Sequence, residues 1–299
     1  MSNFILIVLY ISAGYLLKNI KSLPSQDIAA KLNKFVIYIA LPAMILLEIP
    51  NLSFGSETLI PVTVAWIVMG LSAVMVLFIS RYMEFSKNVT GALMLVTVLT
   101  NSSFMGIPLI SAYLGSGALP YILVYDQLGT FLALATYGTF VASYYSSQSK
   151  LSLKIVALKI VTFPPLVSLV IALFLSGVTY NIYIKETLEI LSLAIVPFGL
   201  TAVGLQLQFR LPKEERKPFY ISLFIKLIIA PVIALGICYM MNWDSLIAKV
   251  SILEASMAPM VTAAAMASMI GLAPRLSNAI VGYGIIVSFV TSYIVFKII

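Results

Sequence analysis

The chain has 299 residues, 61% of them apolar and only 10% charged, with a mean hydropathy of +1.07 and a net charge of +7. Soluble domains carry about 25% charged residues, so this composition has too little polar surface for a water-facing body and describes an all-α polytopic membrane protein. There is no histidine, which removes imidazole metal sites, Ser–His–Asp triads and H-E-x-x-H zinc helices; no G-x-x-x-x-G-K-[ST] run exists to cradle ATP phosphates; and the lone Cys238 has no intrachain disulfide partner.

Apolar stretches between polar breaks predict ten helices, at residues 3–17, 33–50, 58–80, 89–113, 120–145, 155–176, 186–207, 218–241, 246–270 and 276–298. The first begins almost at Met1 with neither a basic leader nor a small-residue cleavage site, and reads as a retained span rather than a signal peptide. Basic residues then gather on alternate loops. Lys18, Lys21, Lys31 and Lys34 follow span one, and Arg81 and Lys87 follow span three. Lys150, Lys154 and Lys159 follow span five; Arg210, Lys213, Arg216 and Lys217 follow span seven; Arg275 follows span nine. The opposite loops hold only Lys185, Lys249 and Lys297. Excess Lys/Arg marks cytoplasmic loops, so both termini are expected on the non-cytoplasmic side of the cytoplasmic membrane. The positive charge is spread too thinly for nucleic acid; membrane lipids are the expected surroundings.

Sliding the chain against itself by 155 residues sets Pro42 on Pro197, Phe54 on Phe209, Asn101 on Ser256, Met105 on Met260 and Gly129 on Gly284. The span boundaries repeat at the same offset. A five-span unit is odd in number, so its second copy must lie inverted in the membrane, as in many secondary transporters that bind substrate where the repeats meet. The expected units are residues 1–145 and 151–299, joined near 146–153.

Spans four and nine hold the densest polar and helix-breaking residues. Span four carries Asn101, Ser102 and Ser103 ahead of Gly106 and Pro108; span nine carries Glu254 and Ser256 ahead of Pro259 and Thr262. Proline removes a donor and clashes with the carbonyl four residues back, and unwound backbone is tolerated in a membrane only where protein or water satisfies it. Matched breaks in two repeats point to a binding site. Half-helices beginning near Pro108 or Pro259 would offer free N–H groups to a carboxylate, and carbonyls before them, with Asn101 and Glu254, suit a hard cation such as Na+. Other prolines, among them Pro42, Pro165 and Pro231, read as simple kinks.

Two carboxylates lie within spans, where ionisable groups are functional candidates. Glu254 is the deeper, and three roles are open to it: cation ligand, proton carrier, or structural counter-ion to Lys249 or to Lys226, which sits a turn or two inside span eight. Asp126 is shallower, at a depth that also fits the outer headgroup region, with Thr130 one helical turn on. An intramembrane aspartyl protease would need a second Asp in a G-x-G-D setting, which the chain lacks; no enzyme activity is expected.

The run G-Y-L-L-K-N followed by L-N-K-F-V-I-Y-I-A-L-P-A-M-I-L, with N-S-S-F-M-G-I-P, E-A-S-M-A-P-M-V-T-A and G-L-A-P-R-L-S-N-A-I-V-G-Y-G, resembles the auxin efflux carrier family over essentially the whole chain. That family is grouped with bile acid:sodium symporters. The resemblance implies ten helices in two inverted five-helix repeats, broken helices four and nine that cross, a panel of spans 1, 2, 6 and 7, and a transport core of spans 3–5 and 8–10 moving as an elevator. It implies that Asn101 with Ser102 and Ser103, Glu254, and Asp126 with Thr130 occupy the ion-binding segments, and that Asn101, Pro108 and Pro259 match the substrate-carboxylate site. Together with the broken-helix reading above, the expected coupling-ion site is Asn101, Ser103, Asp126, Thr130 and Glu254, and the expected substrate site is Asn101, Ser102, Gly106, Pro108, Ser256, Pro259 and Thr262. The long cytoplasmic loop of plant members is missing. The expected function is secondary transport of a small organic anion, auxin-like or malate- or malonate-like, coupled to Na+ or H+, with no organic cofactor; family analogy alone makes a homodimer the assembly to expect. An uncoupled facilitator, and a membrane sensor that does not transport, are the competing readings.

Overall fold

A computed structural model of the chain describes residues 2–20, 24–51, 55–145, 161–207, 209, 211 and 213–299. The expected junction at 146–153, the start of span six, Phe54, and the basic residues Lys21, Lys150, Lys154, Lys159 and Arg210 lie outside the described residues. In chain order the helices are α1 (Ser2–Lys18), α2 (Ser25–Asn51), α3 (Glu57–Tyr82), α4 (Lys87–Val96), α5 (Ser102–Leu114), α6 (Ser116–Tyr145), α7 (Pro164–Phe174), α8 (Ile182–Gln206), α9 (Lys213–Met240), α10 (Leu246–Ala255), α11 (Val261–Met269) and α12 (Pro274–Ile298). Six of them, α2, α3, α6, α8, α9 and α12, run 25 to 30 residues and are apolar enough to cross a membrane, whose hydrocarbon core takes about 20 residues of helix. Among the described residues there is no strand, so the fold is all-helical.

The expected spans fall on helix over most of their described length. One boundary differs clearly: α2 starts at Ser25, so Lys31 and Lys34, read from the sequence as loop residues, ride on two polar helical turns. Apolar content locates the part of a helix that can enter hydrocarbon, whereas backbone hydrogen bonding continues past it.

Prolines shape the helices in a regular way. Widened π turns occupy Val36–Ala40, Ser102–Gly106 and Ile225–Ile229, each ending two residues before a proline: Pro42, Pro108 and Pro231. A proline ring collides with the carbonyl four residues back. Opening the preceding turn moves that carbonyl aside and lets the helix continue. These prolines therefore bend the helices locally rather than break them, and two of the three π turns bring polar residues into the interior, where such turns are often functional.

Two groups of helices pack among themselves. α1 runs along the second half of α8, Ile195–Gln206, with the start of α2 against the same stretch, and the Leu41–Glu48 section of α2 packs on α7 and on the first half of α8. The α1–α8 contact depends on two glycines. A Cβ on Gly14 would strike the Thr201 carbonyl, and one on Gly204 would strike the Ile11 carbonyl. In the second group α3 packs on α10 and on the middle of α6, α9 on α10 and α12, and α11 on α12 and α4. α5 lies at the seam, touching α1 and α8, with Phe104 seated against Gly199.

Candidate functional site

The α4–α5 and α10–α11 connections are short non-helical segments that cross at a single backbone bridge. Thr100 and Pro259 pair as an antiparallel bridge, the Asn101 N–H donating to the Ala258 carbonyl at 2.9 Å and the Met260 N–H to the Leu99 carbonyl at 3.1 Å. Each break thereby satisfies backbone groups of the other away from water, which is the condition for leaving helix inside a membrane. In α10–α11 the break follows from Pro259: the residue before a proline avoids helical backbone, and the missing N–H costs nothing at a position where the bridge asks for no donor. In α4–α5 no proline lies at the break. The T-N-S-S run there offers hydroxyl and amide groups that compete with helical hydrogen bonding, and Asn101 takes φ −86°, ψ 64°.

Two details of the sequence reading are corrected. The first break spans Thr97–Asn101, and α5 starts at Ser102, ahead of Gly106 and Pro108. Pro108 is accommodated by the π turn, so the half-helix does not begin there. Second, the bridge pairs Thr100 with Pro259, so the breaks correspond at an offset about one helical turn longer than 155. Asn101 lies at the far end of its break and Ser256 at the near end of its own, and the Ser256 hydroxyl donates back to the Leu253 carbonyl at 2.6 Å. Sparse identities in apolar sequence matched the two breaks only to within a turn.

Polar side chains converge on this crossing. Asp126, on the π turn Tyr125–Phe131 of α6, is fully buried within the protein. One carboxylate oxygen accepts hydrogen bonds from the hydroxyls of Ser102 and Ser103, the latter at 2.6 Å, and the other accepts from Gln127 Nε2 at 2.7 Å. Three neutral donors thus hold this charge, and Ser102 and Ser103 keep lone pairs free for an incoming cation. Thr130 and Gln127 are buried beside it, with Thr130 Oγ1 and Gln127 Oε1 unpartnered.

Glu254 is the opposite case. It is 0% exposed, and neither carboxylate oxygen has a hydrogen-bond partner among the described residues. It lies directly against Gly106, where a Cβ would come within 2.5 and 2.7 Å of the two oxygens. Of the three roles left open for Glu254, a direct ion pair with Lys226 is not formed: Lys226 is within electrostatic reach of Glu254, as is Asp126, but touches neither of its oxygens. Lys226 instead donates to Thr100 Oγ1 in the crossing. The Asn101 amide nitrogen, the Tyr125 hydroxyl and the Thr262 hydroxyl are also buried without partners. Pro259 is backed by Gly284, whose absent side chain makes room for the ring. A buried polar atom without a partner costs about 1–3 kcal/mol, so the cluster is the candidate binding place of this fold.

The structure therefore brings Asp126 together with Ser102 and Ser103, sets Glu254 against Gly106, and joins Asn101 to span nine through the backbone. The sequence reading missed Thr100, Tyr125 and Gln127 as members of this cluster and took Lys226 only as a counter-ion; a lysine within an apolar span was itself the signal.

A multi-pass helical membrane protein with two crossed, broken helices around buried polar groups is built like a carrier. The chain belongs to the membrane transport protein family that includes the auxin efflux carriers; the family model matches residues 1–296. It is similar to an uncharacterized transporter of Methanothermobacter thermautotrophicus, 29% identical over 269 residues, covering 87% of this chain and 85% of the relative. An uncharacterized transporter of Methanocaldococcus jannaschii is 26% identical over 270 residues, covering 86% and 85%.

Proposed function

We propose that this transporter is a secondary carrier of a small organic anion across the cytoplasmic membrane, coupled to Na+ or H+. The observation that carries the reading is the crossing itself, where an unpartnered buried carboxylate, Glu254, and an unpartnered amide donor, Asn101, flank two helix starts. The α5 and α11 N-termini and the Asn101 amide suit a substrate carboxylate, with Gly106, Pro108, Pro259 and Thr262 shaping the place and Ser256 closing the end of α10. Glu254, with the oxygens of Ser102, Ser103 and Thr130 around Asp126, suits a monovalent cation.

The architecture proposed for this cycle is ten spans in two inverted repeats, 1–145 and 151–299, with both termini non-cytoplasmic. The grouping of α1, α2, α7 and α8 apart from the remaining helices supports a panel and a moving core. A homodimer is proposed by family analogy alone.

The test is counterflow and gradient-driven uptake in proteoliposomes with radiolabelled malonate, malate and indole-3-acetate, under Na+ or pH gradients, for wild type and Glu254→Gln. Gradient-driven accumulation that collapses in the variant is the expected result. Equal gradient-independent exchange in both proteins would establish an uncoupled facilitator instead. No flux of any probe, despite binding, would establish a sensor.

A further inference from the structure

Among the described residues three charged side chains are buried: Asp126, Lys226 and Glu254. They come from three helices, α6, α9 and α10. The proposed function uses the carboxylates and leaves the ammonium without a role. Lys226 lies on the π turn ahead of Pro231, and Ser222 precedes it by one turn on α9. The Ser222 and Thr97 hydroxyls share a hydrogen bond at 2.6 Å, and Lys226 Nζ donates to Thr100 Oγ1. One face of α9 thus grips both ends of the first break.

That break follows the C-terminal end of α4, where free carbonyls carry partial negative charge and a cation is favoured. The second break follows the C-terminal end of α10, and among the described residues no buried lysine or arginine hydrogen-bonds to it. In its place stands Glu254, with both oxygens unpartnered. Two breaks alike in backbone therefore differ in charge: one has a covalently attached cation and the other an open carboxylate. Lys226 compensates one of the two carboxylates, the Tyr125 hydroxyl, within electrostatic reach of Glu254, adds no charge while protonated, and one negative charge is left over. A buried charge without compensation is strongly disfavoured.

We propose that Lys226 is a tethered cation standing in for one exchangeable ion, so that the site takes up a single monovalent cation, Na+ or H+, at Glu254 in each cycle rather than two. This rests on the cation-coupled reading above.

The test is equilibrium binding of 22Na+ to the detergent-purified full chain, with choline balancing ionic strength, for wild type, Lys226→Gln, Lys226→Arg and Glu254→Gln. Wild type and Lys226→Arg should bind at most one Na+ per chain, and Glu254→Gln none. Lys226→Gln should gain a Na+, or bind its one Na+ roughly tenfold or more tightly, as loss of a neighbouring positive charge requires. A folded Lys226→Gln protein with wild-type stoichiometry and affinity overturns the proposal. If Lys226→Gln is unstable in choline chloride, NaCl should rescue it, and the charge-balanced Lys226→Gln/Glu254→Gln protein should fold without any cation dependence; failure of both also overturns it. No Na+ on wild type combined with a gained Na+ on Lys226→Gln would keep the lysine's role and move the coupling from Na+ to protons, so the two readings fail separately.

Discussion

Replacing Gly106 with alanine tests the placement of the Glu254 carboxylate directly. The new Cβ would sit 2.5 and 2.7 Å from the carboxylate oxygens and 2.9 Å from Cδ, well inside contact distance, in a region with no solvent to move into. Overpacking of this kind costs about 1–3 kcal/mol. A carboxylate is the mobile end of its side chain, so rotation relieves part of the clash, and a net cost of about 1–2 kcal/mol is expected. Rotation also displaces the charge from the ion site. Against this, alanine exceeds glycine in helix propensity by about 1 kcal/mol, a gain that is masked while the carboxylate is present. The assay is thermal unfolding of purified wild type, Gly106→Ala, Glu254→Ala and the double variant. Gly106→Ala should lower the midpoint in the wild-type background, and should be neutral or stabilising once Glu254 is alanine. The coupling between the two sites should be at least about 1 kcal/mol, within the range seen for residues in contact. Equal destabilisation in both backgrounds would refute the contact and the site geometry built on it.

Gly204→Ala and Gly14→Ala should each destabilise by about 3 kcal/mol, at the upper end for overpacking, because the struck atoms are backbone carbonyls of the facing helix; melting midpoints check this. Asp126→Asn keeps one acceptor oxygen for the Ser102 and Ser103 hydroxyls and turns its NH2 toward Gln127, whose amide flips to offer its unpartnered Oε1, so the cost should be about 1 kcal/mol or less, read by the same assay. Gly284→Ala brings a Cβ to 2.5 Å from Pro259 Cδ. The ring is rigid, so the crossing must shift, and proteoliposome flux should fall even where the purified protein remains folded. A coupling ion at about a hundred times its Kd stabilises by about 2.7 kcal/mol, so if the ion is Na+, NaCl should raise the melting midpoint over choline chloride in wild type and not in Glu254→Gln.

Composition placed the protein in the membrane, and the spacing of apolar runs located its helices, because hydrocarbon demands length and apolarity that are written residue by residue. The break in span nine was readable at Pro259, whose effect on backbone is local. The break in span four was put too late, at Pro108, since a proline that follows a widened turn does not end a helix. Glu254 and Asp126 stood out as charges in apolar sequence.

What the sequence by itself determined is therefore what depends on near neighbours and solvent: an all-helical membrane protein, its family, where most of its described helices lie, and two polar, interrupted helices. Tertiary structure decided which carboxylate is satisfied and which is open. Asp126 is held because α6 meets the first turn of α5, and Glu254 is bare because its neighbour across the packing is a glycine. It also decided that Lys226 serves Thr100 rather than Glu254. The Asp126 pairing joins residues 23 and 24 apart on consecutive helices, and the Lys226 and Glu254 contacts join residues more than a hundred apart; no local pattern encodes either approach.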